Sequence, residues 1–246
     1  MINKPIVPVK TSIRSALTIM ALPLLISALL SACANISTVK IPHECTGAEN
    51  KIAVVPVETG YKDAYVKKMN IQILFNEMTR APDLDELTLA VLGDLINWHP
   101  EAALSEKISE ELTKRGRKVI QISEIVPLPE NIRHSSSAAT KWYNPDTTIF
   151  EHSAIKNLYH PTAIMEVSFE SIMIIGRRTL TVILVRAIDP NSNKVIARKR
   201  TVKTFVRRDY DFKDPNQCQQ YVLNFKPEFE DGLAKALPKI LDAIGL

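Results

Sequence analysis

Hydrophobic and polar positions change rhythm several times along this chain, and each rhythm predicts an element. Ala16 to Leu30 is an uncharged apolar run of about fifteen residues, broken by Pro23 and preceded by Lys4, Lys10 and Arg14. It falls short of the roughly 20 residues a membrane-spanning helix needs. Lys51-Ile-Ala-Val-Val-Pro-Val57 is a compact β-rich stretch that predicts a buried strand, with Pro56 near its end. Tyr65 to Met78 fits a helix or a strand, while Leu87 to Trp98 sets Leu89, Leu92, Leu95 and Ile96 on one helical face. From Pro100 the helical signal is complete. Pro100 suits a first turn, Glu101 complements the positive helix end, and Leu104, Ile108 and Leu112 recur every four residues. Lys114 and Arg115 favour the C-terminal end, Gly116 stops the helix, and Val119–Ile122 follows as a strand.

The second half reads differently. Residues 126–146 contain three prolines, the run Ser135-Ser136-Ser137 and little apolar periodicity, which predicts a long loop. A short helix is expected within Thr147–Tyr159. In Ala163 to Ser171, Met165, Val167 and Phe169 alternate with Glu166, Ser168 and Glu170, the pattern of a strand with one wet face. Arg177 and Arg178 lie at a turn, and Thr179–Ile188 is apolar on both faces over its middle, as a central strand is. Asp189-Pro-Asn-Ser-Asn193 is turn chemistry. Lys194–Phe205 is the returning strand, basic in the manner of an edge. Phe229, Leu233, Leu237, Ile240, Leu241 and Ile244 form the stripe of a C-terminal helix, expected to kink at Pro238. The order predicts an α+β two-layer sandwich: a mixed sheet with a C-terminal antiparallel hairpin, and helices packed on one face.

The N-terminal segment sets the address. A basic start, an apolar run and the small residues of Leu30-Ser31-Ala32-Cys33 have the order of an export signal. The tetrapeptide resembles the lipobox of bacterial lipoproteins, which implies cleavage after residue 32 and acylation of Cys33. Cleavage after Ala34, without lipid, is the alternative, because Ala32-Cys33-Ala34 also fits a small-x-small site. Acylation would bury many methylenes at about 0.8 kcal/mol each, enough for stable anchoring. Ala34 and Asn35 follow the cysteine with no Asp after it, which by the same resemblance favours the outer membrane. The chain then divides into a signal (1–32), a lipidated tether (33–44) and one periplasmic domain (45–246).

Removing residues 1–32 leaves 214 of the 246, enough for one domain with a proper core. The signal carries three basic and no acidic residues, so the net charge falls from +4 to +1, which removes the electrostatic case for nucleic acid. Cys45 and Cys218 remain. In an oxidising compartment such a pair reads as a disulfide closing roughly 170 residues, a contribution of about 5 kcal/mol in the chain-entropy model. Two buried thiols are the other reading.

The export signal, the IAVVPV strand, the passage SEKISEELTKRGRKVIQIS and the hairpin LTVILVRAIDPNSNKVIARKR together resemble the periplasmic α/β lipoproteins. That group includes the curli-secretion lipoprotein, the lipoprotein activators of penicillin-binding proteins and the N-terminal domain of the Tol β-propeller protein. The likeness covers roughly residues 50–245 and is one of element order. It implies an envelope address and a binding role, and no site residue is carried over from it.

Candidate chemistry is sparse. The five histidines show neither HExxH nor close helical pairing, so no metal or cofactor is expected. His152 and His160 bracket the short helix, where an exposed or capping role is expected. Phosphate-cradling loops and a GxSxG elbow are missing from the sequence. His134 beside Ser135–Ser137 lacks an orienting third group. Arg198 and Arg200 share one strand face, with Arg177 and Arg178 at the hairpin's flank. This cluster could face anionic lipid or an acidic partner, or be a solvated edge that repels strand addition. Trp142 and Tyr143 are either interface anchors or a cluster packed beneath the loop. The expected function is a non-catalytic interaction or assembly subunit of an envelope or secretion complex, anchored in the membrane through its lipid. A small-ligand or cell-wall-fragment binding domain is the alternative. An interaction surface predicts exposed loop aromatics, and a ligand domain predicts a pocket of several hundred cubic ångströms.

Overall fold

The computed structural model describes residue 41 and residues 49–59, 98–133, 135, 137–175, 178–206 and 214–246. These belong to one compact unit, Thr38–Leu246. The signal and most of the tether, Tyr65–Met78 and all but Trp98 of the Leu87–Trp98 segment lie outside the described residues, as do Cys33, Cys45 and Arg177.

Among the described residues six strands form an open mixed sheet, and with the helices they make an α+β fold. The strands are β1 (Lys51–Glu58), β2 (Lys118–Gln121), β3 (Val126–Pro127), β4 (Ala163–Ile175), β5 (Arg178–Ile188) and β6 (Val195–Val206). Their order is β2-β1-β4-β5-β6. β2 and β3 line one side of β1 in succession, parallel to it, and β4 runs parallel on the other side. β4, β5 and β6 are antiparallel neighbours. From Ile52 to Val57 every residue of β1 is buried. Ile52 and Val54 face one core; Ala53, Val55 and Val57 face a second. A strand covered on both faces needs a continuous apolar run, and IAVVPV supplies it.

Two long helices cover the first face. α1 (Pro100–Lys114) buries Leu104, Ile108 and Leu112 completely. It ends where Gly116 takes φ +76°, a left-handed conformation that favours glycine, and Arg117 N–H donates back to Leu112 O at 3.0 Å. α2 (Glu130–Arg133), α3 (Ala138–Tyr143) and α4 (Ser153–Tyr159) are short and lie between β3 and β4. α5 (Pro215–Ile244) starts with Asp214 accepting from Asn216 N–H at 2.9 Å and ends at Gly245, φ +86°. It continues as a helix through Pro227 and the expected kink site, Pro238. Its predicted stripe from Phe229 to Ile244 is buried against the sheet. The fit is tight at Gly232, where an added Cβ would lie 2.6 Å from Phe205 Cδ1.

Two expectations fail on the other face. Residues 126–146 are not a featureless loop: they contain β3, α2 and α3. Nor is the Glu166/Ser168 face of β4 wet. Glu166 and Ser168 are fully buried beneath a second core of Leu128, Ala138, Ala139, Trp142 and Tyr143. The alternation was right and the solvent was not, because a segment too irregular to show periodicity folds down over that face.

Candidate functional site

β4 and β5 place Glu166 and Arg186 directly opposite each other on the covered face. Arg186 Nε donates to Glu166 Oε2 at 2.5 Å, and neither side chain is exposed. Burying such a pair is unfavourable unless the remaining hydrogen-bonding capacity is met, and the covering segment meets it. Trp142 Nε1–H donates to Glu166 Oε2 at 2.9 Å, Thr148 Oγ1–H donates to Oε1 at 2.9 Å, and His152 Nε2 lies 2.6 Å from Oε1. Arg186 also donates through Nη1 to Trp142 O, and its guanidinium stacks 4.8 Å from the Trp142 ring centroid. Burial alone would raise the Glu166 pKa, but the His152 bond and the Arg186 charge outweigh it and hold the carboxyl below its ordinary value. The cluster fastens the covering segment to the sheet.

Trp142 and Tyr143 are therefore not interface anchors: both are buried, as the packed-cluster reading holds. Tyr143 Oη finds no hydrogen-bond partner among the described residues. Burial pushes its phenol up to about 12, against the opposing charges of Arg198 and Arg200. His152, expected to be exposed or capping, is buried, while His160 is exposed in the left-handed residue that ends α4. Ser135 and Ser137 hydroxyls lie 2.9 Å apart on the surface, and His134 is outside the described residues.

The hairpin arginines are also engaged within the chain. Arg198 donates to Asn144 O at 2.6 Å and pairs with Asp146, and its side chain is 17% exposed. Arg200 holds Glu170 with two bonds, 2.6 and 3.2 Å, at 15% exposure. They do not form an open cationic patch. β6 is nonetheless the outermost strand, as its basic composition predicts. Arg178 opens β5 and Cys218 lies in the first turns of α5; neither side chain is described. The structure thus ties Arg198 to the covering segment at Asn144 and Asp146, and Arg200 to Glu170 of β4 within the sheet. The Cys45–Cys218 bond stays an expectation.

Beside β6, the outermost of the described strands on that side of the sheet, runs a groove of about 690 Å³. Lys203, Thr204 and Phe205 form one wall, and α5 residues including Glu228, Asp231 and Lys235 form the other. Among the described residues no group of three or more His, Cys, Asp or Glu side chains is placed to hold a metal ion. None of the described helices is long and apolar enough to cross a membrane.

Sequence reasoning missed Glu166, Arg186, Thr148 and His152 as a set. The available signal was Arg186, a cation inside the otherwise apolar run Val182–Ile188, since a buried charge requires a buried partner.

No protein-family model matches this chain, and no curated protein matches it. Among solved structures, the chain is similar to PelC from Paraburkholderia phytofirmans, solved as a dodecamer. The identity is 10% and the TM-score 0.40, over 85% of this chain and 94% of that one. It is similar to the hypothetical protein CT253 from Chlamydia trachomatis at 12% identity and a TM-score of 0.38, over 80% and 98%. Lipoprotein GNA1162 from Neisseria meningitidis matches at 10% identity and a TM-score of 0.30, over 74% and 99%. Similarity at this distance says nothing of what the chain binds.

Proposed function

We propose that this protein is a bacterial envelope lipoprotein, held by lipid on Cys33 at the periplasmic side of the outer membrane, that works by binding another envelope protein. The lipobox-like export segment supports the address. The observation that carries the binding role is the groove between β6, the outermost of the described strands on its side, and α5. An outer strand can take up an extended partner segment by backbone hydrogen bonding, with the groove receiving alternate side chains. Self-pairing along β6 is disfavoured, because Arg198, Lys199, Arg200 and Lys203 would meet like charges. The His152–Glu166 pair, at 4% and 0% exposure, is sealed away from any substrate.

A small-ligand or cell-wall-fragment reading has one observation in its favour. The groove volume lies within the roughly 300–1,000 Å³ usual for ligand sites. Affinity capture from cross-linked envelopes, with the parent and with Lys203→Glu combined with Lys235→Glu, separates the readings. Partners recovered by the parent and lost by the charge-reversed variant support the groove. Equal recovery moves the interface elsewhere, and a lone monomer in both refutes an interaction subunit. Muropeptide binding by a partner-free monomer would establish the second reading. Mass spectrometry of the native N-terminus tests the anchor: acylated Cys33 is expected, and a chain beginning at Asn35 refutes it.

A further inference from the structure

The N-terminal ends of the parallel strands gather a surface that none of these roles uses. β1 begins at Lys51 opposite Lys118 of β2, and Thr162, just before β4, donates its N–H to Lys51 O at 2.8 Å. β5 ends and β6 begins at this same end, joined by the turn that carries Lys194, and α1 ends there at Lys114 and Arg117 beyond it. Lys156 of α4 lies close enough to act electrostatically on Asp189 of that turn. Glu49, paired with Lys118, and Asp189 offset part of this charge, as does Asp242, which is paired with Arg115. Two large apolar side chains project beside these cations: Leu158 is 70% exposed and Tyr159 is 39% exposed.

Ile41, the one described residue of the tether, lies at this end too. Ile41 is buried in the first core, and its N–H donates to Ile244 O at 2.8 Å, one turn from the place where Arg115 binds Leu246 O and Asp242. Fully extended, the chain from Cys33 to Ile41 spans at most about 28 Å. A lipid on Cys33 therefore keeps this end of the sheet close to the bilayer, whatever the tether's path. Cations beside exposed apolar side chains are what an anionic phospholipid surface selects: headgroups meet the lysines while the apolar residues enter the acyl boundary.

We infer that the end of the domain formed by Lys51, Lys114, Arg117, Lys118, Lys156 and Lys194, with Leu158 and Tyr159, docks on an anionic phospholipid surface. This rests on the anchored-lipoprotein reading and adds an orientation to it: the β4–β5 turn, at the opposite end of the hairpin, points away from the membrane. The test uses the mature acylated protein reconstituted in phosphatidylcholine vesicles with and without phosphatidylglycerol, carrying Leu158→Trp. With phosphatidylglycerol present, the added tryptophan should shift to the blue and be quenched by brominated acyl chains. Without it, or at high salt, both signals should fall. Lys51→Ser with Lys194→Ser should weaken docking about fivefold for each charge removed, and Lys235→Ser on α5 should not. Emission indifferent to brominated lipid, in protein whose Cys33 is acylated by mass, overturns the docking face and leaves the anchor standing. If Cys33 carries no lipid, the anchor reading falls instead, and the same protein added to preformed vesicles tests the face. Phosphatidylglycerol-dependent quenching keeps it, and no quenching overturns it.

Discussion

Replacing Arg186 with Met puts the most weight on the buried cluster. The substitution keeps an unbranched side chain of similar volume but removes the cation opposite Glu166. Four contacts go: the 2.5 Å bond to Glu166, the bond to Trp142 O, the 3.4 Å bond to Thr148 Oγ1 and the stacking at 4.8 Å on the Trp142 ring. A hydrogen bond to a charged group contributes about 1.5–3 kcal/mol and a desolvated cation–π contact about 2. These are not additive, and the larger effect is the carboxylate left buried without its countercharge, for which about 3–5 kcal/mol is expected. The pH dependence carries a sign. In the parent, Glu166 is held below its ordinary pKa, so its contribution is present above about pH 4.3 and is lost as pH falls through the folded value. In the variant the carboxyl keeps the His152 bond but loses the Arg186 charge that opposes burial, so its pKa rises relative to the parent and acidification narrows the gap. Urea unfolding by circular dichroism, with fluorescence of Trp142 inside the cluster, measures both effects. Because 5–15 kcal/mol is the usual total stability, Glu166→Leu with Arg186→Met serves as the companion. An apolar pair should recover most of the loss. A single variant within 1 kcal/mol of the parent, with no narrowing in acid, would refute this account.

Further outcomes are expected. Gly232→Ala should lower thermal stability, since moving the Phe205 ring from 2.6 Å costs about 1–3 kcal/mol and exceeds the roughly 1 kcal/mol gained in helix propensity; a higher Tm would contradict it. Tyr143→Phe should be neutral or stabilising by urea titration, because the lost hydroxyl is buried without a partner. Spectrophotometric titration of the parent should show one tyrosine ionising near 12 that this variant lacks. Arg198→Ser should cost no more than about 1 kcal/mol, because Asp146 is 92% exposed, yet it should speed protease cleavage near residues 144–150. Cleavage at the parent's rate would show that Arg198 does not brace that segment.

Local chemistry made several elements legible. The four-residue spacing of Leu104, Ile108 and Leu112, stopped by Gly116, specified α1 without outside help. The alternation in β4, the doubly apolar middle of β5 and the basic β6 gave the hairpin and its outer edge. The stripe from Phe229 to Ile244 gave α5, which persists through Pro238 because packing on the sheet holds it. The proposal of export and lipidation at Cys33 rests on residue order alone, since such signals are read before folding.

Tertiary structure decided which polar residues see water. Glu166 and Ser168 occupy the positions a solvated face would use, and nothing in a period of two distinguishes water from a cover supplied by residues before the strand. The cover is held by particular contacts, from Trp142, Thr148 and His152 to one carboxylate, and such contacts leave no periodic trace. The same holds for Arg198 and Arg200, which the fold pairs with Asp146 of the cover and Glu170 of the sheet. Sequence alone thus determined the long helices and the strands of the hairpin, because helix and strand patterns are local. Which charges are buried and which end carries Leu158 among lysines depend on contacts between distant segments, and only the fold brings those together.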